Sequence, residues 1–451
     1  MTERTRARAV AMEVLLAVER EGAFADESLD RAARRTGLAP RDRALAQELV
    51  YGVLRQRSTL DWRLDQVATK SMAKLPARIS TALRLGAYQL LYLDRIPASA
   101  AVNESVASIK SGSPGHWPGF VNAVLRALLR TPAPAWPDPA SDPVRALAVR
   151  HACPDWLTER WIERHGLQAA EALCQATTEI PPLTIRANTL RTSRDALAGR
   201  FEELGYGARS TRLSPVGLIL DKAGPITDLP LFHDGAFYVE DEAAQLVAPI
   251  LDPQPGESVL DACAAPGGKA THLAALMKNS GTLTAVDSSA SRLRLVEDNS
   301  RRLGIGIIRT IEADLAAAPP TLRERRFDRV LLDAPCSGLG ILRRHPEGKW
   351  RKDARTVLRH RTLQDRLLEQ AGRLLRPGGV LVYSTCSSEP EENEQVIDHF
   401  CGAHKEFHRE SVAPWLPRQG SSLVTGQGDL STMRNDDAMD MFFAARLRKA
   451  S

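Results

Sequence analysis

The segment ESVLDACAAPGGKATH, residues 257–272, joins a short apolar run to a pair of glycines and then to residues that suit the start of a helix. Gly267 and Gly268 permit a tight turn and let the backbone approach a ligand closely before the helix begins. This order predicts a strand–loop–helix unit of an α/β protein, with a ligand at the carboxyl end of the strand. A glycine pair alone would equally suit an ordinary loop, so the surrounding sequence has to decide.

Apolar runs alternate with helical patterns from about residue 236 to the end of the chain. Because buried parallel strands read as continuous apolar runs, this alternation predicts a doubly wound α/β sheet. Ligands of such sheets bind beyond the carboxyl ends of the strands. The four strands predicted after the first are GTLTAVD (281–287), GIIRTIEAD (306–314), FDRVLLDA (327–334) and GVLVYSTC (379–386).

The residues before this sheet carry other patterns, so we expect a multidomain chain. Helically spaced apolar residues predict an all-α N-terminal domain. The proline-rich stretch TPAPAWPDPASDP predicts a linker or an irregular crossing, followed by a helical segment. The runs LTIRANTL and GLILD then predict strands of a small α+β module. The predicted boundaries are 1–132 for the helical domain, 133–180 for the linker and helical segment, 181–235 for the module and 236–451 for the catalytic domain.

Composition sets the outer limits of function. The 451 residues suffice for two or three domains, and 43% hydrophobic with 25% charged residues is typical of a globular protein. A net charge of +5 permits a polyanionic partner without requiring one. The six cysteines form no CxxC pair, which predicts neither a disulfide framework nor a bound metal and favours the cytoplasm. No apolar run is long enough to span a bilayer, and the basic, apolar N-terminus suits an amphipathic helix better than a signal peptide.

Aspartates at the ends of successive predicted strands indicate the kind of ligand. Asp287 follows Gly268 by nineteen residues, where such folds place the acid that binds ribose hydroxyls. Asp314 ends the next strand and could accept from an adenine amino group, and Asp333 ends the one after. Each aspartate alone would more often be a cap or turn residue. Since neither GxGxxG nor GxxxxGK[ST] is present, the set favours an adenosine cofactor without a phosphate tail, S-adenosylmethionine.

Two cysteines follow predicted strands in similar settings. Cys336 lies in DAPCSG (333–338), and Cys386 lies in YSTCSSEPEENE (383–394). We expect the two thiols to share one site if their strands are neighbours, but spacing does not decide which thiol would attack a substrate. The acids after Cys386 are predicted only to start a helix, because they complement the positive end of its dipole.

These motifs together resemble the bacterial RNA cytosine-C5 methyltransferases. The N-terminal segments ELVYGVLR, AVNESV and FVNAVLR are similar to the NusB-like domain of one branch, the 16S ribosomal RNA methyltransferase B family, also called Sun or Fmu. The resemblance implies a NusB-like domain, an RRM-like module and a Rossmann-like class I methyltransferase domain whose last, antiparallel strand would be DMFFAARLRK (440–449). Ala270 and Met441 depart from the family pattern, and Met441 leaves the register of that strand open.

The resemblance also implies the chemistry and the residues that perform it. A thiolate adds to C6 of cytosine, which activates C5 toward the methyl donor, and the thiol is later eliminated. Cys386 is then the nucleophile, Cys336 assists product release, and Asp333 faces the N3 edge of the base and also lies near the cofactor. Lys269 is one candidate for the electropositive surroundings that an attacking thiol needs. The implied cofactor-binding residues are Cys263, Ala264, Ala265, Pro266, Gly267, Gly268, Lys269, Asp287, Asp314 and Asp333.

The segment RRHPEGKWR (343–351) supplies the candidates for RNA contact. It follows DAPCSG directly, so we expect phosphate contacts and stacking on a base, although a solvated charged loop is the simpler interpretation. The expected partner is 16S ribosomal RNA, with no membrane association and a monomeric chain in the cytoplasm. The alternatives are the same chemistry on tRNA and a non-catalytic NusB-like RNA-binding factor. The RNA-contact candidates are Arg343, Arg344, Lys349, Trp350 and Arg351.

Overall fold

The structure, a computed structural model, describes residues 3–110, 115–221, 224–433 and 439–451. The chain forms two compact units. One contains Met1–Ile180 together with Leu342–Asp353, and the other contains Pro181–Ile341 together with Ala354–Ser451. The predicted catalytic domain, 236–451, is therefore not one continuous body, because a short internal segment belongs to the helical unit.

The first unit is helical, as predicted. Its apolar face residues, such as Val10, Val14, Leu125 and Leu128, are buried in one core. The three helices after the prolines belong to the same unit: Ser58 Oγ donates to Ala148 O at 3.0 Å. The proline-rich stretch therefore crosses the surface of one unit and does not separate two domains. The helices are Glu3–Glu21, Ala25–Thr36, Pro40–Arg55, Arg57–Asp65, Ala77–Tyr92, Ala98–Lys110, Trp117–Arg130, Pro143–Arg150, Asp155–His165 and Leu167–Ala176, with 3-10 turns at Met72–Lys74 and Pro346–Trp350.

The second unit begins with a small antiparallel sheet, ordered β2-β3-β1-β4. Ser193 caps the helix Arg194–Glu203 as predicted, because its hydroxyl accepts from Ala196 N at 3.2 Å. The module extends past its predicted end at residue 235, since its fourth strand pairs with the first. The strands are β1 (Leu183–Ala187), β2 (Gly207–Ser210), β3 (Gly217–Asp221) and β4 (Phe237–Val239).

The large sheet of this unit has the order β10-β12-β9-β8-β5-β6-β7, with β11 paired to β12. Strands β5 to β9 run parallel, and β12 is antiparallel to β9. The chain order reverses between β5 and β8, so the carboxyl ends of these strands border a crevice where ligands bind in such sheets. The strands are β5 (Ser258–Asp261), β6 (Thr282–Asp287), β7 (Ile308–Glu312), β8 (Phe327–Asp333), β9 (Leu375–Thr385), β10 (Phe407–Glu410), β11 (Leu430–Ser431) and β12 (Phe443–Lys449).

Both faces of the sheet are covered, which explains the continuous apolar runs. Successive side chains of a strand point to opposite faces: Val259 packs in one core cluster, and Leu260 packs in the other. The helices that cover these faces include Gly268–Leu276, Ala290–Leu303, Ala354–Leu374 and Glu394–Ala403. The unit also contains the short helices Glu242–Gln245, Val247–Leu251 and Pro320–Arg323, and Pro230–His233 packs in the core of the small sheet. None of the described helices has the length and apolar character that a membrane span requires.

The last strand is antiparallel, as expected, and its register is settled by pairing. Phe443 lies opposite Thr385 of β9, so the strand starts three residues later than DMFFAARLRK suggested. Met441 precedes the strand, and its backbone N donates to Gly340 O at 3.0 Å. Its departure from the family pattern therefore falls in a loop and leaves the strand register intact.

A close helix contact in the first unit gives a test of its packing. A Cβ on Gly52 would lie 1.9 Å from the Tyr88 ring, whereas a Cβ on Gly119 would meet nothing within 4 Å. Gly52→Ala should lower the free energy of unfolding by about 1–3 kcal/mol or more, because the buried ring has to move. Gly119→Ala, the matched control, should change it by less than about 1 kcal/mol. Urea unfolding followed by circular dichroism checks both, and equal midpoints would contradict the packing.

Candidate active site

The glycine-rich loop between β5 and its helix forms a cradle with no room for side chains. Gly267 has a φ of +105°, and a Cβ there would lie 3.1 Å from Val296 Cα. A Cβ on Gly268 would lie 3.1 Å from both Glu240 and Tyr238. The positive φ favours glycine at Gly267, and the side chains of Glu240 and Tyr238 leave little room for a Cβ at Gly268. Ala264, Ala265 and Gly267 of the loop are buried, Cys263, Gly268 and Lys269 are partly buried, and Pro266 is exposed.

Asp287 lies beside this cradle at the end of β6. Its Oδ1 accepts from Ser289 N at 3.0 Å, and its Oδ2 accepts from Ala265 N at 3.3 Å. The side chain is 6% exposed and therefore holds the loop in place as well as bordering it. Asp314, in contrast, is exposed and caps a 3-10 turn through Ala316 N at 3.0 Å. In the structure Asp314 therefore acts as a cap, and its contact with adenine stays a prediction.

Asp333 is held by two hydrogen bonds at the end of β8. Lys269 Nζ donates to its Oδ2 at 2.7 Å, and Ser384 Oγ donates to its Oδ1 at 2.7 Å. Burial lowers the pKa of the Lys269 ammonium, but the carboxylates of Asp333 and Glu240 outweigh burial and hold that pKa above its ordinary value. Lys269 therefore stays charged inside the site. The sequence predicted Lys269 as a candidate for the electropositive surroundings of the attacking thiol. It did not predict the direct ion pair of Lys269 with Asp333.

The two thiols meet at the same edge of the sheet. Strands β8 and β9 are parallel neighbours with Asp333 opposite Ser384, so the loops that follow them lie side by side. Cys336 Sγ and Cys386 Sγ are 3.3 Å apart. The hydrogen bond to Cys386 raises the pKa of the Cys336 thiol well above its ordinary value, and burial raises it further. Both effects favour the neutral thiol of Cys336.

Asp261 is a buried carboxyl that sequence reasoning did not single out, although it ends the first strand of the sheet. It is 0% exposed, and burial, followed by the charge of Asp333, raises its pKa to about 7. With Asp287 and Asp333 it makes the edge of the cradle rich in carboxylates. That character suits a ligand with cationic groups.

Arg186 of the small sheet also reaches the cradle. Its Nη1 donates to Gly268 O at 2.8 Å, its Nη2 donates to Thr271 Oγ1 at 2.9 Å, and it forms an ion pair with Glu240. Thr271 itself donates to Gly267 O at 2.7 Å, so the helix start is hydrogen-bonded although Ala270 has no hydroxyl. No sequence pattern would have found Arg186, because strand β1 and the loop are distant in the chain.

The segment predicted to contact RNA is largely occupied by contacts within the helical unit. Lys349 is 1% exposed, and its Nζ donates to Arg55 O at 3.4 Å and to Ala152 O at 3.1 Å. Trp350 Nε1 donates to Leu54 O at 2.9 Å. Burial lowers the pKa of Lys349 to about 8. The ammonium of Lys349 and the indole N–H of Trp350 therefore donate inside the unit, which argues against the predicted RNA contacts of these two groups.

The same correction applies to Arg351 and Arg343. Arg351 donates to Val18 O and Gly22 O, both at 2.9 Å, and Arg343 is 6% exposed. The last carbonyls of a helix lack partners within the helix and attract cationic donors. Lys349, Trp350 and Arg351 supply such donors to the ends of two helices, Glu3–Glu21 and Pro40–Arg55. Of the five candidates, partly exposed Arg344 keeps its RNA contact as a prediction.

The large sheet has the features of a Rossmann-like methyltransferase. It is parallel except for one antiparallel strand, and it carries a glycine cradle with a strand-end aspartate beside it. Residues 248–448 match the family described as 16S rRNA methyltransferase RsmB/F, residues 5–130 match the NusB family, and residues 153–227 match the RsmF/B-like ferredoxin-like domain.

Curated relatives cover nearly the whole chain. The probable ribosomal RNA small subunit methyltransferase B of Synechocystis sp. is 38% identical over 98% of this chain and 99% of its own. The protein of the same description from Bacillus subtilis is 36% identical over 99% of each chain. The chain belongs to the ribosomal RNA small subunit methyltransferase B family.

Solved structures show the same architecture. The crystal structure of PH0851 covers 100% of this chain and 99% of its own, at 26% identity and a TM-score of 0.84. A methyltransferase homolog from Pyrococcus horikoshii covers 68% of this chain and 99% of its own, at 30% identity and a TM-score of 0.57. NSun6 from the same organism, solved with SFG, covers 66% of this chain and 98% of its own, at 23% identity and a TM-score of 0.58.

The raised pKa of Asp261 predicts a pH dependence of stability. Because its folded-state pKa of about 7 exceeds the ordinary 3.8, the folded chain binds the proton more tightly than the unfolded chain. This stabilisation is complete below the ordinary value and is lost as the pH rises through about 7. The free energy of unfolding of the wild type, measured relative to Asp261→Asn, should fall across that range by at most about 1.4 kcal/mol per pH unit. Parallel stability curves from urea titrations would rule this out.

Proposed function

We propose that this chain transfers a methyl group from S-adenosylmethionine to C5 of a cytosine in 16S ribosomal RNA through a covalent cysteine adduct. The observation that carries the proposal is the 3.3 Å contact between Cys336 Sγ and Cys386 Sγ, beside the Lys269–Asp333 ion pair. Two thiols, a carboxylate and an ammonium converge where the sheet binds ligands. Family membership supports the ribosomal RNA substrate.

The cradle fits the proposed cofactor. S-adenosylmethionine carries an ammonium, a sulfonium and ribose hydroxyls, and the buried carboxylates beside the loop complement these groups. Gly267 and Gly268 leave space for close backbone approach, and Asp287 would accept from the ribose. Bound there, the cofactor supplies an electrophilic methyl group. The same fold carries SFG, an analogue of this cofactor, in NSun6 from Pyrococcus horikoshii.

Cys386 is the proposed nucleophile, and Cys336 is the residue proposed to assist product release. The resemblance to the family assigns the addition to C6 of the base to Cys386, and the raised pKa of Cys336, which favours its neutral thiol, is consistent with that division. Lys269 supplies the electropositive surroundings that an attacking thiol needs, since its ammonium stays charged in the same site. Once Cys386 is bonded to C6, its hydrogen bond no longer raises the pKa of Cys336. After its own proton has passed to solvent, the Cys336 thiolate can accept the C5 proton, and the electron pair of the broken C5–H bond expels the Cys386 thiolate from C6.

Asp333 is the proposed contact to the N3 edge of cytosine. The carboxylate is fixed by Lys269 and Ser384, so its orientation does not depend on the substrate. In this role Asp333 would take a proton from Lys269 Nζ, 2.7 Å away, and pass it to N3, which leaves Lys269 neutral and N3 protonated. Proton donation at N3 assists addition of the thiolate to C6.

We propose that RNA binds to a cleft of the helical unit. This cleft replaces most of segment 343–351 as the proposed RNA-binding surface. The cleft has a volume of about 690 Å³, and its lining has more arginines than glutamates, the latter being Glu13, Glu21 and Glu104. Phosphates bind such surfaces through arginine. The chain would act in the cytoplasm as a monomer. Five arginines line the cleft: Arg8, Arg20, Arg31, Arg35 and Arg78.

Trapping experiments test the division of labour between the thiols. Cys386→Ala should reduce methyl transfer to 16S RNA below detection and form no adduct, because no bond to C6 can form. Cys336→Ala should still attack but stall release, and it should accumulate a protein–RNA adduct on denaturing gels. An adduct from Cys386→Ala and none from Cys336→Ala would reverse the assignment. Bisulfite sequencing of ribosomal and transfer RNA from a deletion strain distinguishes the two RNA substrates.

Calorimetry tests the cofactor assignment. The wild-type chain should bind S-adenosylmethionine, and Asp287→Asn should weaken binding by about ten- to a hundredfold, since a hydrogen bond to a charged group contributes about 1.5–3 kcal/mol. Asp298→Asn, a matched exposed position on the next helix, should bind like the wild type. No binding by the wild type would instead favour a non-catalytic RNA-binding factor.

A further inference from the structure

Glu392, in the acidic run after Cys386, is a buried carboxylate that the reaction scheme does not use. It is 0% exposed. Its Oε1 accepts from Ser337 N at 2.7 Å and from Gln364 Nε2 at 3.2 Å. Its Oε2 accepts from the hydroxyl of Ser337 at 2.5 Å and from the hydroxyl of Ser387. The acids were predicted only to start a helix, but Glu392 ends a 3-10 turn and faces the interior.

The two serines are the residues that directly follow the two thiols. Ser337 follows Cys336 in the loop after β8, and Ser387 follows Cys386 in the loop after β9. One carboxylate therefore joins the two loops at the positions adjacent to the reacting sulfurs. The serine hydroxyls are 3.3 Å apart, the same separation as the thiols.

We propose that Glu392 is a positioning residue that sets the separation of Cys336 and Cys386. This inference rests on the roles proposed above for the two thiols. The hydrogen bonds of the Glu392 carboxylate go to Ser337, Ser387 and Gln364, and its charge also helps to raise the pKa of Cys336. It positions the two sulfurs through the serines, because each serine is covalently joined to its cysteine. Proton removal by Cys336 requires it to stay within reach of the carbon next to the one that Cys386 attacks, so the separation of the thiols controls release.

A carboxylate suits this position better than other acceptors. Both of its oxygens accept and neither donates, so it can satisfy the Ser337 N–H and the two hydroxyls together. The surrounding contacts support the same geometry: Gly340 N donates to Cys386 O at 2.9 Å, and Gln364 Nε2 also donates to Pro335 O at 2.9 Å. In Glu392→Gln, one oxygen becomes an NH₂ group that cannot accept. Either the two serine hydroxyls lose their shared acceptor, or Ser337 N and Gln364 Nε2 lose theirs.

Oxidation by diamide measures the thiol separation without catalysis. The two thiols lose two protons and two electrons to diamide, which is reduced to the hydrazine, and a Cys336–Cys386 disulfide forms. Glu392→Gln should form this disulfide about tenfold more slowly than the wild type, measured by mass spectrometry of alkylated peptides. Glu394→Gln, the same change two residues along the chain, should keep the wild-type rate. Equal rates for Glu392→Gln and the wild type would overturn the proposal.

Steady-state kinetics give the second readout. Glu392→Gln should lower kcat about tenfold, change KM for RNA less than about twofold, and accumulate more adduct than the wild type, because release slows more than attack. Ser387→Ala removes one donor and leaves the carboxylate, so it should show smaller changes in the same direction. This variant keeps the test decisive if Glu392→Gln does not fold, and wild-type kinetics and oxidation in Ser387→Ala would then reject the proposal. A slowed disulfide with reversed trapping results would reject the assigned thiol roles while leaving the positioning role intact.

Discussion

The parallel pairing of β8 with β9 is the constraint on which the rest of the site depends. It places Asp333 opposite Ser384, so that two loops fifty residues apart leave the sheet side by side. Backbone hydrogen bonds fix this register, and a slip of one residue would turn each side chain to the other face. Because both strands are buried on both faces, the register is strongly specified. The contact between the two thiols and the ion pair beside them both follow from it.

The charged side chains at the carboxyl ends of these strands are balanced by charged residues from distant parts of the chain. Lys269 holds Asp333, and Arg186 of the small sheet joins Glu240 to the start of the cradle helix. Removing one partner of a buried ion pair costs about 3–5 kcal/mol, because the other charge is left uncompensated. The small sheet is therefore part of the framework of the cofactor cradle, whatever it contributes to RNA binding.

The segment after β8 illustrates where residue type misleads. A run of arginine, lysine and tryptophan beside a predicted ligand edge suggests a nucleic-acid contact. In the folded chain its donors serve helix-end carbonyls, such as Leu54 O and Val18 O, that have no partner within their own helices. Sequence patterns record which donors are present but not which acceptors the fold brings to them.

The sequence by itself determined the architecture and most of the candidate site. Apolar runs with glycine-rich turns are read locally, so the order of strands, the cradle at Gly267 and Gly268, and the placement of Cys336 and Cys386 at strand ends could be predicted. Tertiary structure decided which side chains act on these groups. Arg186, Lys269 and Glu392 reach their partners across folded layers, and their burial makes each hydrogen bond and ion pair strong. Contacts between residues distant in the chain leave no local pattern, which is why the bridge at Glu392 became visible only in the folded structure.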